Sequence, residues 1–267
     1  MRPHVFATEL SVVVPVRDEE PNIALLHEEL TQVLRAAGIH YELLFIDDGS
    51  TDQTFSLLSD LHRRDAHLRV IRFRRNFGQT AAFAAGFAYA RGRFVATLDG
   101  DLQNDPADIP RLLTLASRYD IVCGWRKDRH DAWLTRKVPS VIANWLIGVV
   151  SGTRLHDNGC SLKVFRADIV KQLNLRSGMH RYLPALAVQL GNGVREEEVN
   201  HRPRRFGRSK YGLSRTFRVV ADLVRLPSLK REAIDPNIPR RKLYEVAEVL
   251  EDVAERQSLG GASRRSV

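Results

Sequence analysis

The sequence is poor in residues that hold a fold together by covalent or metal links. Only two of its 267 residues are cysteine, Cys123 and Cys160, which excludes a disulfide framework and a four-cysteine zinc site. Long apolar runs are scarce too. The longest cover 12–16 and 141–150, whereas a membrane-spanning helix needs about 20 such residues. The first nine residues hold Arg2 and Glu9 but no apolar run of the kind an export signal requires. These absences predict a cytoplasmic chain. Several motifs are missing as well: a Walker A loop, Gly-x-Gly-x-x-Gly after a strand, His-Glu-x-x-His and Gly-x-Ser-x-Gly. There is no internal repeat, which excludes a solenoid.

What remains is an ordinary globular composition, 43% hydrophobic and 27% charged, long enough for one large α/β domain or two small ones. Lys and Arg number 41 against 32 Asp and Glu, a net charge of +9. Such a surplus calls for an anionic partner: nucleic acid, a phosphorylated ligand or an anionic membrane face.

Up to residue 165, short apolar runs alternate with amphipathic stretches. Valine-rich 10–14 reads as a buried strand, and Pro21 opens a helix whose inner face carries Ile23, Leu26, Leu30, Val33 and Ala37, ending at Gly38. Strands are expected at 41–46, 68–73 and 93–98, and helices at 52–65, capped by Ser50 or Thr51, and at 80–90. This alternation indicates a parallel sheet covered on both faces, with ligands beyond the carboxyl ends of its strands. Acid clusters stand at three of those four ends: Asp18-Glu19, Asp47-Asp48 and Asp99-Gly100-Asp101. Beyond residue 125 the pattern changes. A helical stretch with an apolar patch is expected at 133–152, strands at 162–165 and 194–201, and an amphipathic helix at 241–256.

Asp99-Gly100-Asp101-Leu102-Gln103 is the most informative stretch. Two carboxylates one residue apart at a strand end can face a single hard cation, Mg²⁺ or Mn²⁺, and Gln103 adds a neutral oxygen. Gly100 lets the backbone approach a ligand closely. Asp48 sits where strand-end acids accept from a base or ribose hydroxyl, although Asp-Gly-Ser also suits a simple turn.

Pro15 to Glu19, Asp47 to Ser50, Arg75-Asn76-Phe77-Gly78 and Asp99 to Gln103 come in an order and spacing that resembles the inverting GT-A glycosyltransferases. The likeness is greatest to those that load sugars onto polyprenyl phosphates, such as dolichol-phosphate mannose synthase and its undecaprenyl-phosphate relatives; it covers roughly 10–224. The resemblance implies a Rossmann-like, mostly parallel sheet flanked by helices. It implies that Asp99, Asp101 and Gln103 hold the metal and donor diphosphate, and that Pro15, Arg17, Glu19, Ile46, Asp48 and Gly100 line the donor pocket. The stretch from Gly124 to Ser140 resembles the acceptor-phosphate segment, with Arg126 and Arg136 able to fork onto a phosphate and Ser140 to donate to it. Asp157 stands in a segment near the reacting groups, as a catalytic or acceptor-positioning carboxylate or a loop cap. Arg202 to Tyr211 resembles a loop from which Arg204 and Lys210 reach the diphosphate and acceptor phosphate. Its sparse aromatics argue against nucleic acid.

The implied organisation is a catalytic domain over 1–226, with a nucleotide half at 8–123 and an acceptor half at 124–226. Many bacterial relatives continue into membrane spans after residue 226, where this sequence has Pro227 and a polar tail over 227–267. An enzyme that borrows an anchor, a divergent or truncated gene, and attachment through basic and apolar patches all fit that difference. The working expectation is peripheral attachment to the cytoplasmic face of the membrane, directly or through an anchored partner. The implied reactants are a GDP- or UDP-sugar and a polyprenyl phosphate. A soluble or cell-envelope saccharide acceptor, or nucleotide-sugar binding without turnover, are the alternatives.

Overall fold

Alternating valines set the central strand. Val12 and Val14 pack on one side of β1 (Leu10–Val16) and Val13 on the other, so the strand is buried on both faces. The computed structural model describes residues 8–127, 155–176, 178–189, 191, 193–206, 233, 235, 239 and 243–251. The expected helical stretch at 133–152 lies outside the described residues.

Pro21 fixes the first turn of α1 (Glu20–Ala36), and the buried stripe is Ile23, Leu26, Leu30 and Leu34. Val33 and Ala37 turn away from it, because Leu34 falls four residues after Leu30. There follow β2 (Tyr41–Asp47), α2 (Thr54–His62), β3 (Leu68–Phe73), α3 (Gln79–Tyr89), β4 (Phe94–Thr97), α4 (Ile109–Ala116) and β5 (Ile121–Trp125). Then come β6 (Lys163–Arg166), α5 (Ala167–Gln172), α6 (Leu183–Gln189), β7 (Val194–Glu198) and β8 (Val246–Leu250).

The eight strands form one mixed sheet in the order β7-β5-β6-β4-β1-β2-β3-β8. The β4-β1-β2-β3 block is parallel, as is β5 with β7, while β6 and β8 run antiparallel to their neighbours. Helices α1, α2 and α4 cover one face; α3, α5 and α6 cover the other. The doubly covered, mostly parallel sheet expected from the sequence is therefore observed.

Two local expectations are corrected. Ser50 and Thr51 do not cap α2; Gln53 occupies the cap position and makes no side-chain cap bond. The Ser50 and Thr51 hydroxyls bond the neighbouring 17–20 loop instead. Nor do residues 246–250 form part of a helix. They pair antiparallel with the outer edge of β3, whose backbone groups need partners that β-branched Val246 and Val249 are suited to supply. At least these residues of the 227–267 segment, with the core residue Ala233, belong to the sheet and its core.

Candidate active site

Because β4, β1, β2 and β3 are parallel, the acids that follow them reach one edge of the sheet. Two of the loops are tied to each other. The Asp18 N–H donates to Ser50 Oγ at 3.0 Å, the Thr51 N–H to Asp18 Oδ1 at 2.8 Å, and the Glu19 N–H to Thr54 Oγ1 at 2.9 Å. Asp18 takes a positive φ of 48° to make these bonds.

A third loop closes over Asp48. Its carboxylate is buried and accepts from the Phe77 N–H at 2.6 Å and the Gly78 N–H at 2.9 Å. Burial pushes the Asp48 carboxyl above its ordinary range, against these two bonds and the Arg17 charge, which pull it down. The approach is close enough to require glycine at 49: a Cβ there would lie 2.5 Å from the Arg75 carbonyl carbon, on a φ of +69°. Gly49→Ala is therefore expected to cost about 1–3 kcal/mol in a urea-unfolding measurement. An unchanged unfolding midpoint would contradict this packing.

The 99–105 loop completes the edge. Leu102 is buried with φ at 63°, a conformation that costs a Cβ-bearing residue about 1–2 kcal/mol and that burial of its side chain offsets. Gly100 packs closely on the end of β1: a Cβ there would stand 2.8 Å from Val16, 3.5 Å from the Pro15 oxygen and 3.8 Å from Glu19. Arg204 Nη2 donates to Asp101 Oδ2 at 2.6 Å and to Gln103 Oε1 at 3.2 Å. Burial and then the Asp99 charge raise the Asp101 carboxyl to about 6, with Glu19 adding to the repulsion and Arg204 opposing it.

These residues fit a divalent cation. Two carboxylates and an amide oxygen are hard donors, and the crowding that raises Asp101 is relieved by positive charge, a role Arg204 fills in part. Among the described residues no cluster of three or more His, Cys, Asp or Glu side chains is built to hold a metal. A set this small leaves coordination positions for a diphosphate and water.

The remaining expected residues fall in different places. Ile46 is fully buried beside Leu44 and Ile71, so it supports the pocket from beneath and offers no surface to line it. Arg126 and Asp157, expected to serve reactants separately, grip each other: Nε to Oδ2 at 2.7 Å and Nη2 to Oδ1 at 3.0 Å. Burial works against the Arg126 charge, but the bonds and charge of Asp157 outweigh it and raise its pKa, and Asp99 contributes to the same effect. Glu196 holds the other side, accepting from the Asp157 and His156 N–H groups. It lines a cavity of about 790 Å³ at the carboxyl ends of β5 and β7. Arg136, Ser140 and Lys210 lie outside the described residues. Cys123 and Cys160 are buried, and burial pushes the Cys123 thiol up to about 12, in keeping with packing roles.

A family model, glycosyl transferase family 2, matches residues 11–173. The chain belongs to this family. It is 47% identical to a dodecaprenyl-phosphate galacturonate synthase of Rhizobium johnstonii over 82% of this chain and 67% of that one. It is 37% identical to an undecaprenyl-phosphate 4-deoxy-4-formamido-L-arabinose transferase of Enterobacter sp., over 81% and 66%. The chain thus spans about two thirds of the length of these relatives. Among solved structures, the glucosyl-3-phosphoglycerate synthase of Mycobacterium tuberculosis with Mn²⁺ and UDP-glucose superposes with TM-score 0.64 at 17% identity, covering 82% of this chain and 78% of that one. The S. aureus protein TarS with UDP-GlcNAc gives 0.58 at 17%, covering 88% and 68%. These two likenesses establish a GT-A fold.

Three groups of this family 2 transferase were not legible in its sequence. Gln79 Nε2 donates to Asp99 Oδ1 at 2.8 Å, and Asn104 Oδ1 accepts from the Asp99 N–H and the Ser161 hydroxyl. The backbone N–H groups of 77 and 78 hold Asp48. The 76–79 stretch thereby touches two strand-end carboxylates that are 51 positions apart in the chain, Asp48 and Asp99. Only the recurrence of Arg75-Asn76-Phe77-Gly78 in the family hinted at a role. Gln79→Ala is expected to weaken Mn²⁺ binding about 10- to 100-fold in a calorimetric titration, as losing the bond that orients a ligand does. Its melting temperature should stay within about 2 °C of the parent.

Proposed function

We propose that this family 2 enzyme transfers a sugar from a nucleoside-diphosphate donor to a polyprenyl phosphate, with inversion at the anomeric carbon and with a divalent metal. The observation that carries the reading is the crowded Asp99–Asp101–Gln103 set at the carboxyl end of β4. The names of the two relatives, each a polyprenyl-phosphate sugar synthase or transferase, supply the acceptor class.

Asp99, Asp101 and Gln103 would hold Mg²⁺ or Mn²⁺, which when bound neutralises the departing diphosphate. Gln79 and Asn104 orient the loop that carries them. An acceptor phosphate oxygen attacks the anomeric carbon from the face opposite the leaving diphosphate; the new C–O bond forms as the old one breaks. A phosphate is already ionised at neutral pH, so no strong general base is needed, and positioning supplies most of the acceleration. Arg204 moves from Asp101 towards the diphosphate, joined by Lys210. Arg136 and Ser140 take the acceptor phosphate, while Arg126, fixed by Asp157, keeps a positive charge whose field reaches Asp99. Pro15, Arg17, Glu19 and Asp48 serve the nucleotide.

The enzyme meets its lipid at the cytoplasmic face of the membrane, and basic surface near anionic lipid contributes about 1 kcal/mol per residue to that attachment. No helix among the described residues is long and apolar enough to cross a membrane. The deciding experiment incubates the protein with dodecaprenyl phosphate, Mn²⁺ or Mg²⁺, and labelled nucleotide-activated sugars, hexuronates first. Labelled lipid is the expected product. Donor binding without labelled lipid from any sugar would leave a binding protein, and the reading would fall.

A further inference from the structure

The edge strand β8 spans the sheet from the ends of the strands remote from the donor pocket to the pocket itself. At the remote end, Glu251 accepts from Arg69 Nη2 at 2.5 Å and Arg91 Nη2 at 3.3 Å, and Arg69 is buried against Glu42 at 2.7 Å. At the other end, the Arg74 N–H donates to the Glu245 carbonyl at 3.0 Å, beside a shift in register between Arg72 and Phe73. Irregularities of this kind re-aim a strand as it leaves the sheet.

A line of rings starts there. Tyr244 stacks on Phe73, centroids 4.9 Å apart and planes at 11°, and Phe73 meets Phe77 edge-on at 5.8 Å and 88°. Arg75 covers the Phe77 ring at 4.2 Å. The backbone of Phe77 is in turn the shortest hydrogen-bond donor to Asp48. Besides these rings, the exposed 74–76 segment is held by the Arg74–Glu245 bond and by the close approach of Gly49.

We propose that Tyr244 is a positioning residue of the nucleotide pocket: docked by β8, its ring holds the 73–78 turn in the shape that satisfies Asp48. The proposal rests on the donor-site reading above for its ligand, though not for its geometry. Tyr244 packs on Phe73, and Glu251 is at the opposite end of the strand from the pocket. Any effect of either on nucleotide affinity must therefore pass through β8 and the turn.

The test measures binding of UDP and GDP with Mn²⁺ by calorimetry, together with amide hydrogen exchange by NMR. Tyr244→Ala should weaken binding of the preferred nucleotide about two- to ten-fold, the range of an aromatic pair. It should speed exchange of the Phe77 and Gly78 amides by a similar factor. Tyr244→Phe, which keeps the stack, should stay within about twofold on both. Glu251→Gln should shift both in the direction of Tyr244→Ala. Loss of protection at 246–250 with Phe77 and Gly78 unchanged would overturn the proposal. If Tyr244→Ala does not fold, Tyr244→Leu and Glu251→Gln carry the same two readouts. Should the parent protein bind neither UDP nor GDP, the nucleotide reading fails, and amide exchange alone decides the coupling.

Discussion

Asp101→Asn is expected to lower sugar transfer by about 10²–10³-fold, the usual loss when one preorganised electrostatic group is removed. In EDTA near neutral pH it should also raise the melting temperature by roughly 2–4 °C, the shift that about 1 kcal/mol gives a domain of this size. The two effects have one origin. Burial and the Asp99 charge raise the folded Asp101 carboxyl to about 6, against an ordinary 3.8. The folded state therefore binds this proton more tightly than the unfolded one. The stability it confers is fully present below about pH 4 and is lost as pH rises through 6. Near neutrality the ionised group stands as an unrelieved cost, which asparagine removes while still accepting from Arg204. The difference in melting temperature between parent and variant should vanish on acidification through this window. Activity and melting temperature falling together would mark Asp101 as a structural residue.

A carboxylate that destabilises its own fold is informative because Asp52, on the neighbouring loop, avoids that condition through local bonds, whereas Asp47 and Asp48 share the upward push of burial. Asp18 is bonded by the Thr51 N–H and hydroxyl, and Asp52 by the Glu20 and Thr54 N–H groups, which with the Thr54 hydroxyl hold its pKa below the ordinary value despite partial burial. Asp101 has Arg204 and one backbone N–H, and these do not offset burial and the Asp99 charge. The imbalance is what a site awaiting a cation and a diphosphate should show.

How much of this was readable from residues alone follows from the range of each interaction. The strand at 68–73 and the acids beyond β1, β2 and β4 depend on local patterning, and they stand where the sequence places them. The mostly parallel sheet follows from alternation of short and long apolar periods. Failures occur where a partner lies far along the chain. Valine, glutamate and leucine at 246–250 suit a helix face or an edge strand, and only the open edge of β3 decides. Ser50 and Thr51 are good helix caps, yet Asp18, more than 30 positions earlier, takes their bonds. Ile46 follows the pattern of a pocket residue in related sequences, but its place in β2 turns it into the core. The donor edge was thus visible as a set of acids, and its supporting atoms were not.

Asp157 offers the sharpest separation of fold from chemistry. Arg126 and Asp157 form a two-pronged pair with side chains only 12% and 4% exposed, and the same carboxylate also accepts from the Arg126 N–H. Removing one partner strands a buried charge, so Asp157→Ala is expected to cost about 3–5 kcal/mol by urea unfolding, along with most of the transfer activity. Removing both charges leaves nothing stranded. The double variant Arg126→Met/Asp157→Leu should therefore unfold at a higher urea concentration than Asp157→Ala, recovering at least about 1 kcal/mol. It should nevertheless stay inactive, because the positive charge whose field reaches Asp99 is gone. Stability restored without activity would show that the pair has a role in turnover separate from its role in the fold. If Asp157→Ala instead keeps its full stability and loses only turnover, the carboxylate acts on a reactant directly, and the pair seen here opens when substrate binds.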